Sequence, residues 1–236
     1  MNYTIATATH VGRTRAQNED AVHPEADAST GGPVIVAVAD GMGGHAAGEV
    51  ASALALVGAI GAEDSSAEER VLAANEAVLS AAQANPEYAG MGTTLTLGIF
   101  GPDGSIELGH VGDSRAYLWR NRRLTQLTID HTFVHELIAQ GRLDPSEAET
   151  HPRRHMLTRT IGMGAVRVDT LDIQALSGDR ILLCSDGLTN MLDDERIGRI
   201  LGATPVPADA VWSLVEAANA AGGYDNTTVA VVDVTA

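Results

Sequence analysis

Pro33-Val34-Ile35-Val36-Ala37-Val38-Ala39-Asp40-Gly41-Met42-Gly43-Gly44-His45 is an uncharged run that ends in one carboxylate and then in glycines. From Val34 to Ala39, odd and even positions are equally apolar, the mark of a strand buried on both faces. A carboxylate at the mouth of such a strand is held in place by the core behind it. Gly41, Gly43 and Gly44 let the backbone turn sharply and bring a main-chain carbonyl near whatever Asp40 holds. The Ala-rich segment that follows is predicted to be a helix from Ala46 to Ile60. Val50, Leu54, Val57 and Ile60 fall near helical spacing and should face the core, while Gly48, Ala51, Ala55 and Ala59 permit close packing on a sheet.

The same theme recurs at Arg180-Ile181-Leu182-Leu183-Cys184-Ser185-Asp186-Gly187, again an apolar strand ending in Asp-Gly. Tyr3 to His10 reads as a first strand. A helix is expected from Ser66, its cap, to Ala84, with Asn85-Pro86 ending it. Met91 to Phe100 alternates as a strand, and Ile106 to Val111 returns after the turn Gly101–Gly104. Ala116–Trp119, Leu124–Thr128 and Val166–Leu176 continue the strands. Leu188–Leu201 and Ala208–Ala221 read as helices ahead of a last strand, Thr227–Val234. Strands joined as hairpins argue against a Rossmann-type sheet. Residues 132–156 form a polar, weakly cored excursion, expected to be a flap. His131, just before it, reads as a substrate contact, a helix cap or a surface residue. His151, Arg153, Arg154 and His155 make a basic cluster within it, suited to attracting acidic or phosphorylated segments.

The 236 residues carry 15 Lys and Arg against 31 Asp and Glu, a formal charge of −16. No linker-like composition divides them, so one domain over 1–236 is expected. Such a charge repels nucleic acid and anionic membranes. The single cysteine, Cys184, excludes an internal disulfide, fits a reducing compartment and reads as a small core residue. There is no signal-peptide pattern and no apolar run near the roughly 20 residues of a membrane helix. A cytoplasmic monomer is expected.

Glu19, Asp20, Asp40, Asp113, Asp186 and Asp225 each lie at or beside a strand end. Neighbouring strand ends sit about 4.8 Å apart, and carboxylates gathered there are protonated unless cations join them. An all-oxygen ligand set selects hard ions, Mg²⁺ or Mn²⁺.

Arg15-Ala16-Gln17-Asn18-Glu19-Asp20, Asp40-Gly41-Met42-Gly43-Gly44-His45, Gly92-Thr93-Thr94, Gly112-Asp113-Ser114-Arg115, Ser185-Asp186-Gly187-Leu188 and Gly223-Tyr224-Asp225-Asn226-Thr227-Thr228 resemble, in order, the motifs of the metal-dependent serine/threonine protein phosphatases, the PPM or type 2C family. The resemblance implies an α+β fold, a four-layer α-β-β-α sandwich of two antiparallel sheets flanked by helices. It implies hydrolysis of phosphoserine and phosphothreonine in proteins by a metal-bridging hydroxide, with phosphoproteins and their serine/threonine kinases as partners. Asp40 would bridge two ions, with the Gly41 carbonyl and Glu19 on one, and Asp20 nearby through water. Asp186 and Asp225 would bind the other ion, and Asp113 with Asp186 a weaker third. Arg15 would grip the phosphate, and Asn226 would support the site.

Two departures stand out. Animal members carry a His directly after the Asp-Gly, as general acid; here Met42 stands there and offers no proton. His45 is the nearest candidate acid, or it only orients the helix start. Asn190 stands where animal members have a further acid. Two other readings are a catalytically silent metal-binding signalling module and a phosphatase dedicated to a single anti-sigma antagonist.

Overall fold

The computed structural model describes residues 1–43 and 47–236. Two six-stranded antiparallel sheets face each other. The first contains β1 (Asn2–His10), β3 (Ala28–Thr30), β8 (Arg115–Arg120), β9 (Arg123–Gln126), β11 (Arg180–Cys184) and β12 (Thr227–Thr235), in the order β3-β1-β12-β11-β8-β9. The second contains β2 (Asp20–His23), β4 (Val34–Met42), β6 (Leu95–Phe100), β7 (Ser105–Val111) and β10 (Asp169–Gln174), in the order β10-β7-β6-β4-β2, with the short β5 (Gly92–Thr93) paired to β4. Helices α1 (Ala47–Gly61) and α2 (Ala67–Ala84) cover the second sheet. Helices α4 (Asp186–Thr189), α5 (Asp194–Ala203) and α6 (Pro207–Ala220) cover the first. A short α3 (Phe133–Ala139) and a 3₁₀ turn, Pro145–Thr150, lie between β9 and β10. This is the expected four-layer sandwich.

Side-chain alternation explains the strands that are apolar throughout. On β4, Val36 and Val38 enter the core between the sheets, while Ala37 and Ala39 face the helices. On β11, Ile181 and Leu183 point inward and Leu182 and Cys184 outward, all fully buried. The period of two thus feeds two different cores from one strand.

Three expectations need correction. On α1, Gly48, Ala51, Ala55 and Ala59 are buried as expected, together with Ala47, Ser52 and Leu56, and Val50, Leu54 and Ile60 pack half-buried against this core, but Val57 is 68% exposed. Small residues win that face because β4 offers it alanines, and alanine against alanine lets helix and sheet approach closely. The helix expected over Leu188–Leu201 is two helices. Asp193 caps α5 by accepting from the Arg196 N–H at 2.7 Å, and this competes with continuation of the preceding helix. The Met91–Phe100 strand is divided at Thr94 between β5 and β6. The α2 start is as expected: Ser66 accepts from the Glu69 N–H at 3.3 Å, and Glu69 accepts from the Ser66 N–H at 2.9 Å. Among the described residues no helix is long and apolar enough to cross a membrane.

The α1 assignment predicts opposite outcomes at neighbouring positions. Ala55→Leu should overpack and lower unfolding free energy by about 1–3 kcal/mol. Val57→Ser should stay within about 0.5 kcal/mol of the parent. Urea unfolding monitored by circular dichroism measures both, and the reverse ordering would restore the Val57 face.

Candidate metal centre

Asp40 lies near the end of β4, with Asp20 of β2 directly opposite in the register. Opposed residues of an antiparallel pair put their side chains on one face, with Cβ atoms about 4.5–5.5 Å apart. The Asp40 backbone is fixed by two threonines. Its N–H donates to Thr94 Oγ1 at 2.9 Å. Its carbonyl accepts from the Thr94 N–H and from Thr93 Oγ1, each at 2.9 Å. Gly41 donates to the Glu19 carbonyl at 3.1 Å, and the Ser52 hydroxyl of α1 donates to the same oxygen at 2.6 Å. The Glu19 carboxyl lies against Gly48, where an added Cβ would stand 2.7 Å from Glu19 Cδ. Only glycine lets α1 come so near.

The first sheet completes the centre. Ser185, just past β11, donates from its hydroxyl to Asp20 Oδ2 at 2.8 Å and accepts from the Thr228 N–H at 3.0 Å. Asp20 therefore ties the two sheets together. Asp186 opens α4, and Asn190 Nδ2 donates to its Oδ2 at 2.9 Å. Asn226 donates to the carbonyls of Val11 and Gln17 and accepts from the Glu19 N–H, all at 2.9 Å, so it clamps the loop that carries Glu19. Arg15 Nη2 donates to Asp225 Oδ2 at 2.8 Å, and the Arg15 side chain is 50% exposed.

Crowding sets the electrostatics. Burial, then the charges of Asp20, Asp186, Asp113 and Asp225, push the Asp40 carboxyl well above its ordinary range. Burial pushes Asp20 up to about 7 and, with the Asp186 charge, Asp113 up to about 8. Burial and Asp225 raise Asp186. Burial also raises Glu19, although the Arg15 charge opposes it. The structure thus brings Asp20, Asp40, Asp113 and Asp186 together, with Asp225 within their field and Glu19 beside Arg15 and Asp225. His45 lies outside the described residues.

These residues fit hard divalent cations. Asp20 Oδ1 and Asp186 Oδ1 are buried with no hydrogen-bond partner among the described residues, so each keeps lone pairs for a cation. Among the described residues no three His, Cys, Asp or Glu side chains form a ready-made cage for one ion. A shell completed by water and a main-chain carbonyl is what Mg²⁺-like ions accept.

Sequence reasoning missed the support beneath Asp113. His131 is buried, and Thr132 rather than His131 caps α3. The His131 N–H donates to the Gly112 carbonyl at 2.8 Å, and its Nδ1 accepts from the Gly112 N–H at 3.1 Å. That acceptor role puts the ring proton on Nε2, which faces Asp169 Oδ2 at 3.2 Å, while Arg159 Nη1 donates to Asp169 Oδ1 at 2.6 Å. Burial lowers the pKa of His131 and brings that of His110, packed beside it at 4.7 Å, down to about 4. The 132–156 excursion is closed by Phe133 donating to the Met156 carbonyl and Thr158 to the His131 carbonyl, each at 2.8 Å. Its basic cluster is split. His151 and Arg153 pack on Phe133. Arg154 and His155 line a cleft of about 710 Å³ beside Asp113 and Asp186.

Residues 9–222 match the family described as protein phosphatase 2C. The serine/threonine protein phosphatase PstP of Mycobacterium tuberculosis is 41% identical over 231 residues, covering 94% of this chain and 43% of PstP. The chain thus spans under half the length of that relative. The serine/threonine phosphatase stp of Listeria monocytogenes is 37% identical, covering 94% of this chain and 92% of stp. The catalytic domain of PstP, solved in complex with two manganese ions, superposes with a TM-score of 0.88 at 38% identity, covering 100% of both chains.

The raised carboxyls predict an unusual pH dependence for metal-free protein. In the unfolded chain these aspartates titrate near 3.8, whereas folded Asp20 and Asp113 hold their protons to about 7 and about 8. The folded state binds more protons across that window, so the stability these groups contribute is present below about pH 4 and is lost as pH rises toward 8. With EDTA, Tm should fall by about 3 °C or more between about pH 5 and pH 8. Added Mn²⁺ should abolish most of that fall. A flat EDTA profile would contradict the crowding.

Proposed function

The chain belongs to the protein phosphatase 2C family, and on that premise we propose that it hydrolyses phosphoserine and phosphothreonine esters in proteins, using Mn²⁺ or Mg²⁺. The observation that carries this reading is the gathering of Asp20, Asp40, Asp113 and Asp186, with two carboxylate oxygens left unpartnered and buried. A PstP domain holding two manganese ions supports the choice of cofactor.

Asp40 would hold both ions, with Glu19 and the Gly41 carbonyl serving one and Asp186 and Asp225 the other. Asp20 would act from beside Asp40, and Asp113 with Asp186 would hold a third, weaker ion. A bound pair of divalent ions supplies a water nucleophile at neutral pH and neutralises phosphate charge. The chain's own part is placement. Thr93 and Thr94 hold Asp40, Ser185 holds Asp20 and Asn226 holds the Glu19 loop. Arg15 spends one nitrogen on Asp225 and keeps its remaining donors for phosphate oxygens. Buried, neutral Cys184, whose thiol is pushed up to about 12, is no nucleophile. Residues 132–156 would act as a flap over the cleft. We place the enzyme in the cytoplasm, opposite a serine/threonine kinase.

The test is hydrolysis of p-nitrophenyl phosphate and of a phosphothreonine peptide with Mn²⁺, Mg²⁺ or EDTA. Activity should require metal. Asp40→Asn should lower kcat by at least about a hundredfold. Arg15→Ala should lower kcat/KM by about 10–100-fold, the loss of charge-assisted bonds to phosphate. Turnover that survives EDTA would overturn the metal assignment. Tight Mn²⁺ binding without turnover would leave a silent signalling module instead.

A further inference from the structure

A second concavity, of about 740 Å³, lies between the β8–β9 hairpin and α5. The half-buried Trp119 indole lines it and packs closely against the glycines of α5. Cβ atoms added at Gly198 and Gly202 would stand 3.0 and 2.8 Å from the ring. Its rim carries three exposed guanidinium groups, Arg122, Arg123 and Arg199. Among the described residues Arg122 and Arg123 have no ion-pair partner, and Arg199 reaches only Glu195, at 3.8 Å with both side chains well exposed. Of the fifteen arginines, Arg15, Arg115, Arg120, Arg159 and Arg180 are each bonded to an aspartate at 2.8 Å or less, and the groove is set apart by three exposed arginines sharing one lining. The acid on the rim nearest Trp119's strand, Asp194, is engaged by the Tyr117 hydroxyl at 3.1 Å.

The hairpin itself is built at a conformational cost. Asn121 and Arg122 connect the paired Arg120 and Arg123 with φ of 53° and 61°. A two-residue turn with both φ positive favours Asn followed by Gly. Arginine stands where glycine would relax the backbone. The groove adjoins the metal cleft at Asp194, which lines both.

We propose that this groove receives an acidic stretch of the phosphoprotein, a few residues from the phosphoresidue seated in the metal cleft. The proposal rests on the phosphatase reading and names its preferred substrates. A surface of net charge −16 repels an acidic chain almost everywhere. In this groove three exposed arginines beside Trp119 outnumber the two acids of the lining, Asp194 and Glu195, a local positive excess that an acidic chain can use. These arginines lie apart from Arg154 and His155, which line the metal cleft itself.

The test compares the parent with Arg122→Gly/Arg123→Gln/Arg199→Gln, in which glycine suits the turn and the fold is kept. Substrates are p-nitrophenyl phosphate and phosphothreonine peptides with four acidic residues before the phosphothreonine, four after it, or none. The parent should favour one acidic peptide, and the variant should lose about tenfold in kcat/KM for it through KM, a few-fold for each exposed ion pair. p-Nitrophenyl phosphate and the neutral peptide should be unaffected. The advantage should also shrink with added salt. In a Trp212→Phe background, metal-free protein should report the unphosphorylated acidic peptide through Trp119 fluorescence, and the triple variant should not. No acidic preference in the parent, or a preference retained by the variant, overturns the groove. Absence of turnover with any metal overturns the phosphatase reading instead, and the fluorescence titration then still decides the groove, an unresponsive Trp119 refuting it.

Discussion

Mutual repulsion among buried carboxylates is the constraint that the rest of this structure serves. Two unit charges 4 Å apart cost about 4 kcal/mol even at an effective dielectric of 20. Asp40 feels the charges of Asp20, Asp186, Asp113 and Asp225 together. Flexible loops would let the acids move apart into water, and the crowding would vanish. They stay together because most are carried at or beside the ends of strands whose two faces are each locked into a different core. Asp40 belongs to one sheet and Asp186 follows a strand of the other, so the sandwich itself sets how closely they approach.

The groups that orient these acids are mainly neutral. Thr93, Thr94 and Ser185 supply hydroxyls, Asn190 and Asn226 supply amides, and Arg15 is the cation bonded within the set. Arginine partners on every carboxylate would satisfy their charges and occupy their lone pairs. A hydroxyl or an amide fixes geometry and leaves the charge to be met by something else. The unpartnered Oδ1 atoms of Asp20 and Asp186 are the visible remainder. Where the chain needs rigid charge pairs and not a receptive site, it does use arginine. Arg180 bonds Asp233 and the carbonyls of Leu201, Thr204 and Pro205, and Arg115 bonds Asp130 through two nitrogens.

Much of this was legible in the sequence because the strongest signals are local. An apolar run ending in Asp-Gly reports burial and a strand mouth together, and it marked both Asp40 and Asp186. Ser66 with Glu69 reported a helix start. What escaped depends on partners distant in the chain. Val57 looked like a core residue by periodicity, but α1 meets a strand of alanines, and the tightest interface excludes the larger side chain. The break before α5 turns on whether the Asp193 side chain competes for the backbone. The short β2 and β3 carry too few residues to show a period. His131 was legible as the residue just before the 132–156 excursion, yet its grip on Gly112 and Asp169 follows only from the pairing of β7 with β10.

Net charge and local charge act on different scales here, and the difference bears on how an anionic substrate is met. At physiological ionic strength the field of the whole chain is screened beyond about 8 Å. Its sign therefore discourages approach without deciding what happens in contact. At contact, the half-exposed Arg15 stands over Asp225 and the Arg154 and His155 pair lines the cleft. Each lies close to acids that would otherwise repel a phosphate. In a chain with 31 acids and 15 cations, nearby cations can therefore outweigh distant, screened acids. The acidic excess then does two things at once. It gathers carboxylates at the strand ends, and it leaves an anion only the few places where arginines stand exposed.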